Sequence, residues 1–367
     1  MSQEITIDLR MYRMSGIGRY LRNLMPSLIP LLEARRIFVL GCTTDLATED
    51  WAQDPRIDIR EFQTAIFSPA EQLAGLRGVY RDTHLLWVPQ YNIPLLYRGK
   101  LVVTIHDVCH LALPETLGSD LQRWYSRRLF STVAARADAI FCVSEFTAKE
   151  VQKYLKVDSS RLIVTYPTVV TARDQFAMLP SETTDAPYLL AVGNLKRHKN
   201  LKVLLSAFQL IKDRIPHRLI VVGKREGFLN SEIGINTDLE QSDGRVRFTG
   251  QVSEQELTMY YKKADALVFP SLYEGFGFPL IEAMSQGCPV ACSNVASLPE
   301  VAGEAAIYFD PTSIVDISKA LVMITTDTQL KEVLVQRGYN RVEQFRTQPC
   351  AEKTAAVINR LLGASAS

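Results

Sequence analysis

Short runs of apolar, largely β-branched residues alternate along this chain with longer stretches in which apolar residues recur every three or four positions. Runs of the first kind fit strands buried on both faces, and stretches of the second kind fit amphipathic helices lying over them. In the first half, EITIDL, RIFVLGC, LLWVP, LVVTIHD, AIFCVS and RLIVTYP predict strands. Helical patterns such as GRYLRNLMPSLIPLLEA and DLQRWYSRRLFSTVAARA separate them. The second half repeats the style with PYLLAVGN, HRLIVVG, RVRFTG, ALVFPS, PVACSN and AAIYFD. This alternation implies parallel sheets covered by helices, in two doubly wound α/β units rather than one enlarged one.

The break falls in TARDQFAMLPSETTDAP, residues 171–187, which is polar, carries two prolines and has no periodicity. The expected organisation is a Rossmann-like domain over 1–170, a linker over 171–187 and a second Rossmann-like domain over 188–347. A closing helical segment over 348–367, containing PCAEKTAAVINRLLG, could pack back on the first domain. A length of 367 residues suits two domains. Two such units facing each other across a cleft would turn the carboxyl ends of both sheets toward it, where open α/β folds bind ligands.

Composition narrows the options. A formal net charge of +1 argues against nucleic acid as a partner, which calls for a basic surface. No run approaches the roughly eighteen apolar residues of a membrane span. The opening MSQEITIDLR lacks the apolar core of a signal peptide, so the cytoplasm is the expected compartment. Six scattered cysteines form no CxxC pair and no zinc spacing, and read as reduced, buried thiols. No Asp-x-Asp offers a carboxylate pair for a divalent ion, so neither a metal nor a cofactor is expected.

The densest chemistry lies in SLYEGFGFPLIEAMSQGCPV, where Glu274 and Glu282 stand eight positions apart around Gly275-Phe276-Gly277-Phe278-Pro279. ALVFPS reads as a strand, so this turn occupies the strand's carboxyl end and leads into a helix. Pro279 suits the first helical position and Gly287 the residue just past its end. Gly275 and Gly277 let the backbone approach a ligand, and amides ahead of a helix N-terminus favour anions. Glu282, one turn into the helix, would repel a phosphate, which leaves a diol such as ribose as its partner. Glu274 would face whatever the phosphates carry.

These two glutamates, with GCPVACSNVASLPEVAGEAAIYFDP after them, resemble the signature of retaining glycosyltransferase family 4. The resemblance covers nearly the whole chain and implies the GT-B fold: two Rossmann-like doubly wound parallel-sheet domains facing across a cleft that holds a nucleotide-sugar. In AVGNLKRHKNLKVLLSAF, Lys199 matches the family lysine on the diphosphate. Asn194 stands where the family often has arginine, and Arg197 is near enough to compensate. Gly16 and Gly18 in MSGIGRYL match a glycine loop against the diphosphate or sugar; Leu21 breaks the dinucleotide fingerprint there. His106, ending the LVVTIHD run, matches a family histidine near the donor sugar, where it could donate to a hydroxyl or move a proton. Phe248 to Val252, including Gly250, should present backbone groups to the base, and no acid is clearly placed to hold a guanine.

The implied reaction is transfer of a hexose from a nucleoside-diphosphate sugar to a saccharide hydroxyl with retained configuration, in polysaccharide or glycoconjugate synthesis. His106, Lys199 and Glu274 are the expected catalytic groups. A UDP-glucose-type donor is favoured over GDP-mannose. The acceptor is a saccharide or lipid-linked saccharide, and RWYSRRLF, residues 123–130, offers cations and aromatics for peripheral membrane contact through the first domain. A nucleotide-sugar 2-epimerase and a non-catalytic nucleotide-sugar binder are the alternatives from other classes.

Overall fold

The computed structural model describes residues 3–73, 78–169, 186–194, 196–223 and 244–363. Residue 170 and most of the expected linker, 171–185 of 171–187, lie outside the described residues. The chain divides into two compact units, one of residues 1–170 with 345–367 and the other of 171–344.

The first unit holds a sheet of β1 (Glu4–Asp8), β2 (Arg36–Gly41), β3 (Ile57–Glu61), β4 (Leu85–Val88), β5 (Lys100–Ile105), β6 (Ala139–Cys142) and β7 (Leu162–Val164). Their order is β3-β2-β1-β4-β5-β6-β7, every pair is parallel, and the direction of winding reverses between β1 and β4. Strand β3 is missing from the hydrophobic reading for a physical reason. It is an edge strand in which Asp58 and Arg60 alternate with Ile57 and Ile59, and it is only half-buried. Arg60 lays its guanidinium 3.6 Å from the centre of the Phe38 ring, covering the neighbouring strand.

Helix α1 (Ser15–Leu28) follows β1 and buries Tyr20, Leu21, Leu24, Met25 and Leu28, the three-and-four spacing of one face. α2 (Asp120–Arg136) and α3 (Glu145–Leu155) each start at a serine cap: Ser119 accepts from the Gln122 amide and Ser144 from that of Thr147. The last helix, Thr347–Leu362, belongs to this unit and packs on α1. It buries Ala351, Thr354, Ala355, Ile358 and Leu362. The Asn359 side chain donates to the Leu31 carbonyl (2.9 Å) and accepts from the Glu33 amide (3.0 Å). Lys100 Nζ donates to the Leu361 carbonyl at 2.5 Å, a cation at the negative end of the helix.

The second unit is built on β8 (Tyr188–Val192), β9 (Arg218–Val222), β10 (Val246–Gly250), β11 (Ala266–Phe269), β12 (Val290–Ser293) and β13 (Ala306–Phe309). These are again all parallel, in the order β10-β9-β8-β11-β12-β13, with the reversal between β8 and β11. Helices α4 (Leu201–Ile211), α5 (Glu254–Lys263), α6 (Phe278–Ser285), α7 (Leu298–Ala302), α8 (Ile314–Thr326) and α9 (Thr328–Val342) cover it. α4 and α8 close the main core through Leu204, Phe208, Ile317 and Leu321. At the amino edge, Asp265 accepts from His217 Nε2 and from Lys331 Nζ, both at 2.8 Å. Burial pushes the Asp265 carboxyl up, and those two partners outweigh it, so the net shift is downward.

The last helix contributes core to the first unit rather than surface decoration. Ile358→Ala, which empties a fully buried site, is expected to destabilise that unit by about 2–5 kcal/mol in urea unfolding.

Candidate functional site

In the second unit the carboxyl ends of β8 and β11 flank the reversal of winding, the position at which open sheets part their loops. The ladder runs on past the strands, because Gly193 donates its amide to the Val222 carbonyl (2.9 Å) and Gly223 to that of Gly250 (3.0 Å). A Cβ on Gly223 would lie 2.0 Å from the Gly193 carbonyl oxygen, so no other residue fits there. The Lys199 side chain passes over Gly193, where an added Cβ would meet its Cδ and Cε at 3.5 Å.

Lys199 ends a short 3-10 turn, Arg197–Lys199, and Asn200 follows in the left-handed region at φ +56°. The buried Asn200 amide donates to the carbonyls of Pro270 (3.1 Å) and Pro311 (2.7 Å). The Leu272 amide donates to the His198 carbonyl at 2.8 Å. These bonds fasten the loop after β8 to the loop after β11, and they bring Lys199 Nζ to 2.5 Å from Glu274 Oε1. The ammonium also lies 5.2 Å from the centre of the Phe269 ring, which favours a cation.

Glu274 opens the turn that leads into α6. Gly277 sits at φ +102°, a conformation that demands glycine, and a Cβ there would come within 2.8 Å of Leu298 Cδ2 and push that side chain aside. Phe276 and Phe278 pack edge to face at 5.4 Å. Phe278 is the first helical residue and Pro279 the second, one place later than the spacing suggests; the amide that proline lacks is still one of the unpaired amides of the first turn. Gly287, at φ +71°, ends the helix as expected. Glu282 is 7% exposed and its Oε2 accepts from the Tyr261 hydroxyl at 2.9 Å.

The other predicted donor residues of this unit lie around the same strand ends. Asn194 follows Gly193 and its carbonyl accepts from the Lys196 amide (2.7 Å), while Arg197 is exposed on the 3-10 turn. Gly250, at φ +75°, ends β10, and Val252 is half-buried in the loop before α5. Ser253 and Glu256 form a capping box at the start of that helix, which commits the Glu256 carboxylate to the Ser253 amide (2.7 Å).

Gly16, Gly18 and His106 belong to the first unit. A Cβ at Gly18 would lie 2.5 Å from the Tyr12 carbonyl oxygen, which makes Gly18 a packing glycine; at Gly16 it would meet nothing within 4 Å. His106 follows β5, and its Nε2 lies 3.0 Å from the Pro89 carbonyl oxygen. A carbonyl only accepts, so Nε2 carries the proton and Nδ1 is left as an acceptor. Burial lowers the ring's pKa to about 4, against smaller opposing effects of Pro89 and Asp107. His106 is therefore a neutral ring at physiological pH, donating from Nε2 to Pro89 and offering Nδ1 as an acceptor. The carboxyl ends of this sheet also carry a buried charge cluster. Arg10 bonds to both Asp8 oxygens and reaches Glu71 Oε1 at 2.5 Å, and Asn92 donates to the same Glu71 oxygen (2.7 Å). Burial pushes the Glu71 carboxyl up, with Arg10 and Asn92 opposing it.

Comparison with known proteins divides the chain between two family descriptions, Glycosyltransferase Family 4 over residues 14–173 and Glycosyl transferases group 1 over residues 177–341. The O-antigen chain mannosyltransferase B of Escherichia coli is 30% identical over 300 residues, 79% of this chain and 77% of that protein. The chain belongs to glycosyltransferase family 4. Another relative of this glycosyltransferase is the O-antigen chain mannosyltransferase RfbU of Salmonella typhimurium, 32% identical over 232 residues, 63% of this chain and 62% of the relative. The glycosyltransferase spans about a third of the longer serotype-specific mannosyltransferase WbdA of Escherichia coli, 26% identical over 305 residues (78% of this chain, 36% of the relative). Among solved structures, the sucrose-phosphate synthase of Thermosynechococcus elongatus superposes with a TM-score of 0.77 at 19% identity, covering 99% of this chain and 100% of that one. Anabaena HepE, solved with UDP and glucose, superposes with a TM-score of 0.73 at 15% identity over 97% and 98%. At these identities the likeness shows the fold, which is GT-B.

Sequence reasoning passed over Gly193, Asn200, Tyr261 and Ser297. Only Gly193 and Asn200 carried a local signal, as glycine and asparagine at strand and helix boundaries; the partners of Tyr261 and Ser297 lie more than twenty positions away. Among the described residues no three His, Cys, Asp or Glu side chains cluster as a metal site.

The neutral His106 gives a pH signature. Between its ordinary pKa near 6.5 and its folded value of about 4, the unfolded chain binds more protons than the folded one, so acid favours unfolding. The stability advantage of the wild type over His106→Gln is expected to shrink as pH falls from 7 to 4, measured by urea unfolding across that range.

Proposed function

We propose that this glycosyltransferase moves a mannosyl residue from a nucleoside diphosphate to a saccharide hydroxyl, with retention at the anomeric carbon, in the assembly of a polysaccharide. The observation that carries donor binding is the Lys199–Glu274 pair beside a glycine-rich turn at the strand ends of the second unit. One cation and one carboxylate held 2.5 Å apart match a ligand that offers a diphosphate and, next to it, hydroxyls. Bond making and breaking then follow a same-face route. The bond from the anomeric carbon to the phosphate oxygen breaks, the acceptor oxygen bonds to that carbon, and the acceptor proton passes to the departing phosphate. Lys199 and Arg197 offset charge building on the diphosphate, and Glu274 holds sugar hydroxyls. Glu282 takes the ribose. This route assigns no step to a metal ion.

Mannose is preferred over glucose because the relatives at 30% and 32% identity are both mannosyltransferases. That moves the donor from the UDP-glucose type suggested by the loop at Gly250 to GDP-mannose. The test is release of GDP or UDP from GDP-mannose and UDP-glucose, with and without saccharide acceptors. Turnover of GDP-mannose alone is the expected result, and turnover of UDP-glucose alone restores the first reading. Epimer formation without acceptor, or binding without turnover, would replace transfer by one of the other two classes. Lys199→Ala should lower turnover by a few hundredfold, on the order of 3 kcal/mol, and Glu282→Ala should weaken donor binding. Unchanged kinetics in both variants would sink these assignments.

The first unit is proposed to take the acceptor, carried on lipid. Among the described residues no helix is long and apolar enough to cross a membrane. α2 nonetheless turns Leu121, Trp124 and Arg128 outward at helical spacing with Arg127 beside them, and Trp124 is 63% exposed. Its one acid, Asp120, pairs with Arg123 at 2.6 Å. An exposed indole among arginines suits the headgroup layer of an anionic membrane. Sedimentation with vesicles containing phosphatidylglycerol should fall several-fold in Trp124→Ala; wild-type protein that stays in the supernatant would remove the membrane from this reading.

A further inference from the structure

Ser297 directly precedes α7, in the place where a serine ordinarily caps a helix. Its side chain makes no such bond. The fully buried hydroxyl instead lies 2.9 Å from the carbonyl oxygen of Glu274 and 2.9 Å from that of Phe276, sharing its one proton between them. The next residue, Leu298, packs against Gly277, so α7 grips the turn at two successive points.

A trans peptide is planar, and its N–H points opposite to its C=O. The Glu274 carbonyl shares a plane with the Gly275 amide, and the Phe276 carbonyl with that of Gly277. A hydroxyl that draws both carbonyls to one side turns both amides to the other. The loop that carries Glu274 cannot change this without breaking two buried hydrogen bonds. Gly277, already at φ +102°, supplies the backbone freedom that the arrangement needs.

We infer that Ser297 is a positioning residue: by holding the carbonyls of Glu274 and Phe276, it aims the amides of Gly275 and Gly277 and fixes the root of the Glu274 side chain against the donor. This rests on the donor-binding reading above and adds a residue that lies outside the Glu274–Glu282 stretch. The part of the donor served is chiefly the sugar held by Glu274, so losses should be larger for the nucleotide-sugar than for the nucleoside diphosphate, which shares only the phosphates.

The experiment compares Ser297→Ala, Ser297→Thr and Ser318→Ala with the wild type in calorimetric binding of GDP and GDP-mannose, with UDP and UDP-glucose in parallel. Ser318 is a matched control, since its buried hydroxyl also lies near two carbonyls, those of Ala207 (3.0 Å) and Ile314 (2.8 Å), away from the turn. Ser297→Ala should weaken the nucleotide-sugar roughly tenfold to a hundredfold and the nucleoside diphosphate less than about threefold. Ser297→Thr should recover most of the loss, and Ser318→Ala should lower stability while leaving the ratio of the two affinities unchanged. With glycine labelled by 15N, the amide resonances of Gly275 and Gly277 should shift in Ser297→Ala and stay in place in Ser318→Ala. Equal losses for both ligands, or unmoved glycine resonances, overturn the assignment of Ser297 alone. A wild type that binds no nucleotide overturns the donor reading and this inference together.

Discussion

Parallel strands cannot be joined by tight turns; the chain must cross back over a face of the sheet before it can add the next one. All eleven strand pairings among the described residues are parallel, so in each unit every carboxyl end lies on the same edge. The crossing helices bury both faces, and the interior strands become runs of Val, Ile, Leu and Ala with no room for chemistry. Polar function is left to the loops at the strand ends. At the reversal between β8 and β11 the loops diverge, and Lys199 and Glu274 occupy that place.

Loops at a strand edge do not hold a geometry by hydrophobic packing alone. Here the tension is resolved by buried donors placed one at a time: the Asn200 amide on Pro270 and Pro311, the Leu272 amide on His198 and the Ser297 hydroxyl on Glu274 and Phe276. Each is a hydrogen bond to a backbone carbonyl, worth about 0.5–1.5 kcal/mol net. The same bonds set the distance between ammonium and carboxylate. Stability and site geometry are thus one arrangement in these loops, whereas at the amino edge Asp265 joins His217 to Lys331 and ties helix to sheet.

The fold was largely legible because buried parallel strands write themselves as continuous apolar runs. Each of the twelve apolar runs holds a strand, and among the described residues the one strand without such a run, β3, lies at an edge where Asp58 and Arg60 alternate with Ile57 and Ile59. The turn at Glu274 was legible from its spacing and glycines, as was the helix after it, to within one residue at Pro279. His106 was visible as a histidine at a strand end, but its proton could not be: that depends on the Pro89 carbonyl, seventeen residues away in the chain.

The sequence by itself determined the alternation of strands and helices, the two sheets, the glycine positions and the identity of the charged groups. Local periodicity and backbone sterics are properties of neighbouring residues, and neighbours are what a sequence records directly. Only the tertiary structure decided which nitrogen of His106 carries the proton, that Gly18 packs while Gly16 has open space around it, and that Lys199 meets Glu274. It also decided that Ser297 serves the turn rather than its own helix. Those outcomes rest on hydrogen bonds and close approaches between residues far apart in the chain, whose geometry exists only once the sheet has brought the strand ends together.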